Sequence, residues 1–461
     1  MSGITGEKRG RRGVRALAAV VVTVVAGCAL FAGAAPAAAV PPPQSDSFYA
    51  APDGFASSAP GDVLRAREVR LAVLTALPLN VRSWQLLYRT TDLFGQPAAA
   101  VTTVLLPAGA DPSRSRPLVS LQFYYDSASP DCAPSFVLRH GAGLPGLEGI
   151  PSQSELIAIA ALLSQGWAVS VPDYEGLEGH LAVAEEPGYL TLDGIRAAER
   201  FGPLGLDGTN TPVALWGYSG GGMGSGWAAE MQPAYAPELN VKGVALGAPT
   251  SDVVALLHVN GSMFASLIGI GISSLRKAYP KFRAASDRYL TAEGRALMDR
   301  TAAQCLPRNA LTQMFVDYQR MLTIPIADFL AVPEIAEVFE ATVLGRHIPT
   351  APIFLYHGVF DEAVPIRTNE RLVQQYCAGG ASVLFERDHL SEHLTLPSLG
   401  MARTFEWLKQ RLTPDAPDQV GCRTEDVVSM LAAPDALLTQ LEINLNATFG
   451  ALGFPIGPHE R

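Results

Sequence analysis

One short stretch leaves this chain few folds to choose from. Pro212-Val213-Ala214-Leu215 is apolar and strand-like, Trp216-Gly217-Tyr218-Ser219-Gly220-Gly221-Gly222-Met223-Gly224 follows, and Ser225-Gly226-Trp227-Ala228-Ala229-Glu230 reads as a helix. A strand, a Gly-x-Ser-x-Gly turn and a helix in that order make a nucleophile elbow. The turn has no room for side chains two residues either side of the serine, which is where Gly217 and Gly221 stand. It lifts the Ser219 hydroxyl off the edge of a sheet and aims the next backbone N–H, that of Gly220, at a bound carbonyl. By itself the five-residue pattern is a glycine-rich turn that contains a serine; the flanking strand and helix give it weight.

The rest of the chain supplies the sheet that such an elbow needs. Residues 81–91 read as a strand, 92–96 as a turn and 98–106 as the strand that pairs back, an antiparallel hairpin. Residues 117–125, 167–171, 241–246, 353–356 and 382–385 read as further strands, and 154–165, 191–201, 367–376 and 399–412 as helices. Short apolar strands alternating with helices predict an α/β fold, a mostly parallel central sheet flanked by helices on both faces. Residues 250–347 break this rhythm and read almost entirely as helix, with Leu256, Met263, Phe264, Ile268 and Ile272 early and Met314, Phe315, Phe329 and Phe339 later. Lying between two sheet strands, this insertion should emerge over the elbow. Its apolar residues suit a cap that walls an acyl pocket; they equally suit an insertion packed on itself.

The N-terminus is read apart from the fold. Lys8, Arg9, Arg11, Arg12 and Arg15 precede an uncharged apolar run over 16–33, and Ala37-Ala38-Ala39 precede Val40 and three prolines. Residues 1–39 are therefore expected to be a secretory signal peptide. Arg11-Arg12 admits a twin-arginine route. Val25-Ala26-Gly27-Cys28 resembles a lipoprotein box, but apolar residues continue past Cys28 and speak against an anchor there. Removing the five basic residues and one acidic residue of 1–39 from 34 Lys+Arg and 44 Asp+Glu leaves 29 against 43, a net charge of −14. That balance argues against nucleic acid as a partner. Four cysteines remain, Cys132, Cys305, Cys377 and Cys422. An even number in an exported chain points to two disulfides, with three pairings open. No Cys-x-x-Cys or Cys/His spacing points to a metal, and no cofactor is expected.

A serine hydroxyl needs a base, and the base an orienting acid. In this sheet class the order is serine, acid, histidine. The strand at 353–356 runs into His357-Gly358-Val359-Phe360-Asp361-Glu362, which puts Asp361 where the acid belongs, with Glu362 as the alternative. The strand at 382–385 is followed by His389 and His393. His393, just ahead of the last helix of the sheet, is the expected base, and His389 the competitor. His357 reads as a structural or supporting histidine beside Asp361.

These residues carry a family resemblance. The stretches Tyr125-Asp126-Ser127-Ala128-Ser129-Pro130-Asp131-Cys132-Ala133-Pro134-Ser135, Pro172-Asp173-Tyr174-Glu175-Gly176, Leu192-Asp193-Gly194-Ile195-Arg196-Ala197-Ala198, Gly217-Tyr218-Ser219-Gly220-Gly221, Tyr356-His357-Gly358 with Asp361-Glu362 and Val364-Pro365, and Glu392-His393 resemble the secretory lipase family, lipase A type, of the α/β-hydrolase fold. The resemblance implies that Asp126 joins the amide of Gly220 in an oxyanion hole. It implies the bridges Cys132–Cys305 and Cys377–Cys422. It also implies that the cap and a C-terminal flap shape an acyl tunnel. In the tail, Leu437, Leu441, Leu445 and Phe449 fall on one helical stripe, which suits a flap, a surface-seeking helix or a helix packed on the body.

The expected organisation is a signal peptide over 1–39, a hydrolase core over 40–249 and 348–415, a cap over 250–347 and a tail or flap over 416–461. The expected function is a secreted serine hydrolase of lipid esters, a triacylglycerol lipase or carboxylesterase. It would act through Ser219, His393 and Asp361 and an acyl-enzyme, with a lipid or ester substrate, transient contact with a lipid interface and no stable protein partner. An acyltransferase, or an exported peptidase or amidase, would use the same triad.

Overall fold

The computed structural model describes residues 40–143 and 147–458; the expected signal peptide, Cys28 included, lies outside the described residues. Among the described residues the strands are β1 (Val63–Glu68), β2 (Ala72–Val73), β3 (Leu77–Pro78), β4 (Val81–Thr91), β5 (Pro97–Pro107), β6 (Leu118–Gln122), β7 (Ala168–Pro172), β8 (Val213–Tyr218), β9 (Val241–Gly247), β10 (Ile353–Gly358), β11 (Val383–Asp388) and β12 (Cys422–Val427). β2 and β3 pair only with each other; the other ten form one sheet in the order β1-β4-β5-β7-β6-β8-β9-β10-β11-β12. β1, β4, β5 and β7 meet antiparallel, and from β7 to β12 every neighbour is parallel.

The apolar runs become the central strands because both faces are covered. All residues of β6, β7, β8 and β10 are buried. Alternate side chains feed two cores, as a strand's period of two requires. On β8, Val213 and Leu215 join the core under helices Glu186–Arg200 and Gly220–Tyr235, while Ala214 and Trp216 join the opposite core under Leu156–Ser164 and Met401–Leu412. Helix Glu186–Arg200 begins earlier than the expected 191, with Pro187 in its first turn, where a missing N–H is no loss.

The insertion between β9 and β10 is helical, with Ser266–Ala278, Pro280–Tyr289, Ala292–Ala302 and Pro333–Ala341 as its longer helices. Its apolar residues pack in two directions. Ile268, Leu290, Leu297, Met298 and Met321 pack among themselves, whereas Phe329, Ile335 and Phe339 continue the main core. Val40–Arg461 is one compact unit, insertion included.

Two edge strands add to those read from the sequence. β12 lies in the stretch read as tail, so the sheet runs past residue 415. Its sequence Cys-Arg-Thr-Glu-Asp-Val buries little, and the ladder to β11 and a bond from Cys422 to Cys377 hold it instead. β1, Val-Leu-Arg-Ala-Arg-Glu, is equally polar and pairs with β4. The second disulfide joins Cys132 to Cys305, tying the segment after β6 to the insertion.

The tail ends in helix Ala436–Ala451. It packs by Ala436, Thr439, Ile443 and Gly450, against Leu156–Ser164 and Met401–Leu412. The leucine stripe points the other way: Leu437 is 66% exposed, Leu441 56%, Leu445 48% and Phe449 50%.

Candidate active site

Parallel strands end at one edge, so the loops that follow them meet there. β8 delivers Ser219, β10 delivers Asp361 three residues past its end, and β11 delivers His393 five residues past its end. Ser219 Oγ lies 3.0 Å from His393 Nε2, and His393 Nδ1 lies 2.7 Å from Asp361 Oδ2. His389 is elsewhere, paired with Asp426 on the surface at 2.8 Å. Glu362 does not take the acid's place; its carboxylate accepts the backbone N–H of His393 at 3.1 Å. Tyr218 Oη donates to the His393 carbonyl at 2.7 Å, so the histidine backbone is held from two sides.

The elbow is strained in the way its sequence demands. Ser219 has φ +52° and ψ −117°, a conformation that costs a side-chain-bearing residue about 1–3 kcal/mol. Hydrogen bonds from Ser219 N to Gly247 O (2.8 Å) and from Met223 N to Ser219 O (3.0 Å) hold it. A Cβ at Gly217 would run into the carbonyl of Gly221, and one at Gly221 into the carbonyl of Gln122.

β6 is the neighbour of β8, so the segment after it borders the elbow. There Asp126, at φ +34°, turns its buried carboxyl toward Gly220, where a Cβ would run into Oδ1. That oxygen has no hydrogen-bond partner among the described residues. Burial pushes the Asp126 carboxyl up to about 6, against the pull of nearby His393. Protonated, its side chain has a hydroxyl to give; ionised, it leaves only its backbone N–H to serve an oxyanion.

Two further carboxyls pin this segment, and sequence reading did not single them out. Glu155 accepts the N–H of Tyr124 at 2.9 Å, and Glu175 accepts that of Ser127 at 3.2 Å, one on each side of Asp126. Burial first, and the neighbouring Asp126 with it, drives both well above the usual carboxylate range. Asp173 receives the N–H of Ser135 at 3.0 Å and is pushed by burial up to about 7. Asp173 and Glu175 stand in a stretch that carries the family resemblance, without a role of their own in it; no sequence signal marks Glu155.

Asp361 is the opposite case. Burial raises it, but hydrogen bonds from His357 and His393 outweigh burial and hold the carboxyl far below the usual range. Its Oδ1 also accepts the N–H groups of Ala363 (2.9 Å) and Val364 (2.7 Å). It therefore stays ionised beside the histidine at any pH near neutral.

Sheet order, elbow and inserted helices define an α/β-hydrolase. The structure superposes on Candida antarctica lipase A with a TM-score of 0.80 and 28% identity, covering 92% of this chain and all of that one. A probable inactive lipase of Mycobacterium tuberculosis is 40% identical over 80% of this chain and 82% of its own length. Lipase A of Arthroderma benhamiae is 34% identical over 91% and 90%. The family model of secretory lipases matches residues 142–419. The chain belongs to the secretory lipase family.

Proposed function

We propose that this protein is an extracellular serine hydrolase that cleaves carboxylic esters of lipids, triacylglycerols among them. The observation that carries the reading is the hydrogen-bonded chain Ser219–His393–Asp361 at 3.0 and 2.7 Å on one sheet edge. Family membership alone does not decide activity, since one relative is called inactive; the hydrogen-bonded side chains support the reading of an active nucleophile.

Ser219 attacks the ester carbonyl while His393 Nε2 takes its proton. The Gly220 N–H and the protonated Asp126 receive the oxyanion. Asp361 stabilises the imidazolium, which then protonates the leaving alcohol. Water, activated by the same histidine, releases the acid from the acyl-enzyme. The insertion holds a small apolar cavity of about 40 Å³, lined by Ile268, Ile272, Met298, Met321, Phe329 and Phe339 and bordered by no residue of the triad; the preference for lipid esters over peptides rests on the family. The exposed stripe of helix Ala436–Ala451 supports transient contact with a neutral lipid surface: residues 436–454 carry no Lys or Arg, and Glu442 is the one charge.

A fluorophosphonate probe tests the mechanism. It should label the wild type and leave Ser219→Ala unlabelled; equal labelling of both would refute the reading. Hydrolysis of p-nitrophenyl esters of graded chain length, emulsified triglyceride and aminoacyl anilides then separates lipase, esterase and amidase.

A further inference from the structure

Behind Asp361 stands a second histidine that the scheme above does not use. His357, in β10, is fully buried. Its Nε2 lies 3.0 Å from the Val364 carbonyl oxygen and 3.2 Å from Asp361 Oδ2, the same oxygen that receives His393 Nδ1 at 2.7 Å. Its Nδ1 lies 2.9 Å from Asn369 Nδ2, and that amide nitrogen also lies 2.9 Å from the Pro249 carbonyl oxygen.

These contacts settle where the ring proton is. A carbonyl only accepts, so Pro249 O fixes the nitrogen of the Asn369 amide on its side. The amide has two hydrogens; one goes to Pro249 O and the other to His357 Nδ1. Nδ1 is therefore the accepting nitrogen, and the proton sits on Nε2. Val364 O, another pure acceptor, requires the same tautomer independently. The arrangement leaves Asn369 Oδ1 buried without a partner among the described residues. A buried amide oxygen is rarely left so, because it forfeits the hydrogen bonds it had in water.

We infer that His357, locked as the Nε2–H tautomer by Asn369, is a positioning residue of the triad: it shares Asp361 Oδ2 with His393 and limits how strongly that oxygen draws the His393 proton. The inference rests on the triad reading above. The N–H bonded to Val364 O also lies 3.2 Å from Asp361 Oδ2, and a carboxylate oxygen with a second N–H dipole beside it is a weaker base than one with a single donor. Without the His357 donor, Asp361 pulls harder on His393 Nδ1–H and stabilises the imidazolium. His393 then releases its proton at higher pH, and the acid limb of kcat/KM moves up. The other groups around this chain are Asp126 from the segment after β6, Tyr218 from β8, Glu362 beside Asp361, Asp388 beside Gly358 of β10, and His258 from the insertion, whose Nε2 lies 3.1 Å from the Glu362 carbonyl oxygen. None of them is altered by the substitutions that follow.

The test compares His357→Leu with His357→Gln on a soluble ester. Glutamine places an amide N–H near the position of the imidazole Nε2, so it keeps the donor; leucine fills the space without one. His357→Leu should move the acid limb up by about 0.5 to 1 pH unit, and His357→Gln should return it to within a few tenths of wild type. A packing role alone would lower kcat at every pH and leave the limb in place. An unmoved limb in His357→Leu, or an equal shift in both variants, overturns the inference. If His357→Leu does not fold, His357→Met reads the same limb, since methionine also fills the space without an N–H donor, and the limb should rise by the same amount. No movement there also overturns it. Fluorophosphonate labelling of Ser219 in the wild type separates the two failures, because an unlabelled Ser219 sinks the triad itself, whereas a labelled Ser219 with an unmoved limb sinks only His357.

Discussion

Asp126 and Gly220 are pressed together so closely that a methyl group on the glycine would run into the Asp126 carboxyl. The contact joins the two loops that would receive an oxyanion, and one of the two donors titrates. With its carboxyl pushed up by burial to about 6, Asp126 is a donor in mild acid and an anion above neutrality. Hydrolysis of a soluble ester by the wild type should therefore fall as pH rises through about 6. Asp126→Asn, whose amide always donates, should flatten that limb. Asp126→Ala should lose about 10²–10³ in kcat at pH 5, the usual effect of removing one oxyanion donor. A pH–rate profile of the three proteins checks this; an alkaline limb retained in the Asn variant would remove Asp126 from the reaction.

The same burial bears on stability. Asp126, Glu155, Asp173 and Glu175 all have folded-state values above their ordinary ones, with burial the leading cause. Between the unfolded value near 4 and the folded value, the native state holds protons that the unfolded state has lost, so stability falls as pH rises. For Asp126 the difference between 3.8 and about 6 corresponds to about 3 kcal/mol. Asp361 works in the other direction: its lowered value adds stability above pH 4 that is lost as pH falls below it. The protein should be most stable near pH 4–5, with the melting temperature dropping by about 5 °C between pH 5 and 8. Asp126→Asn should shrink that drop. Thermal melts across the range decide it, and a melting temperature that climbs toward pH 8 would contradict the account.

The two disulfides should fail differently. Cys377–Cys422 closes a loop of 45 residues and fastens a polar edge strand far from Ser219. Replacing both cysteines by alanine should cost about 2–4 kcal/mol of stability and leave kcat on a soluble ester within twofold. Cys132–Cys305 instead ties the Asp126 segment to the insertion. Its removal should cost similar stability and lower kcat as well, because Ser127 Oγ, next to Asp126, donates to the Gln304 carbonyl across the same junction at 3.2 Å. Denaturant unfolding and kinetics on the two double variants make the comparison.

How much of this was legible depended on burial. The runs that became β6, β7, β8 and β10 are buried along their whole length, and a continuous apolar run announces such a strand. Ser219, Asp361 and His393 could be sought because each follows such a strand. β1 and β12 gave no signal, since an edge strand held by backbone hydrogen bonds needs no apolar face. The roles of Asn369 and Glu155 were hidden for another reason: each acts on a residue far away in sequence, through one hydrogen bond that no local pattern records.

Helix Ala436–Ala451 shows where periodicity misleads. A stripe of Leu437, Leu441, Leu445 and Phe449 ordinarily marks the buried face. Here the opposite face, with Ala436, Thr439, Ile443 and Gly450, is buried, because small residues let the helix lie close on the body, and the large ones are left outside. Leu441→Asn with Leu445→Asn removes apolar surface that is already about half in water, so the melting temperature should change little. Activity on a soluble short-chain ester should stay within twofold. Activity on emulsified triglyceride should fall about thirtyfold, since each of the two leucines contributes on the order of 1 kcal/mol to adsorption at a neutral interface. Adsorption to phosphatidylcholine-coated triglyceride droplets should fall in parallel, and adsorption should be insensitive to salt because the stripe carries no cation. Equal losses on soluble and emulsified substrates would place the helix in catalysis rather than at the lipid surface.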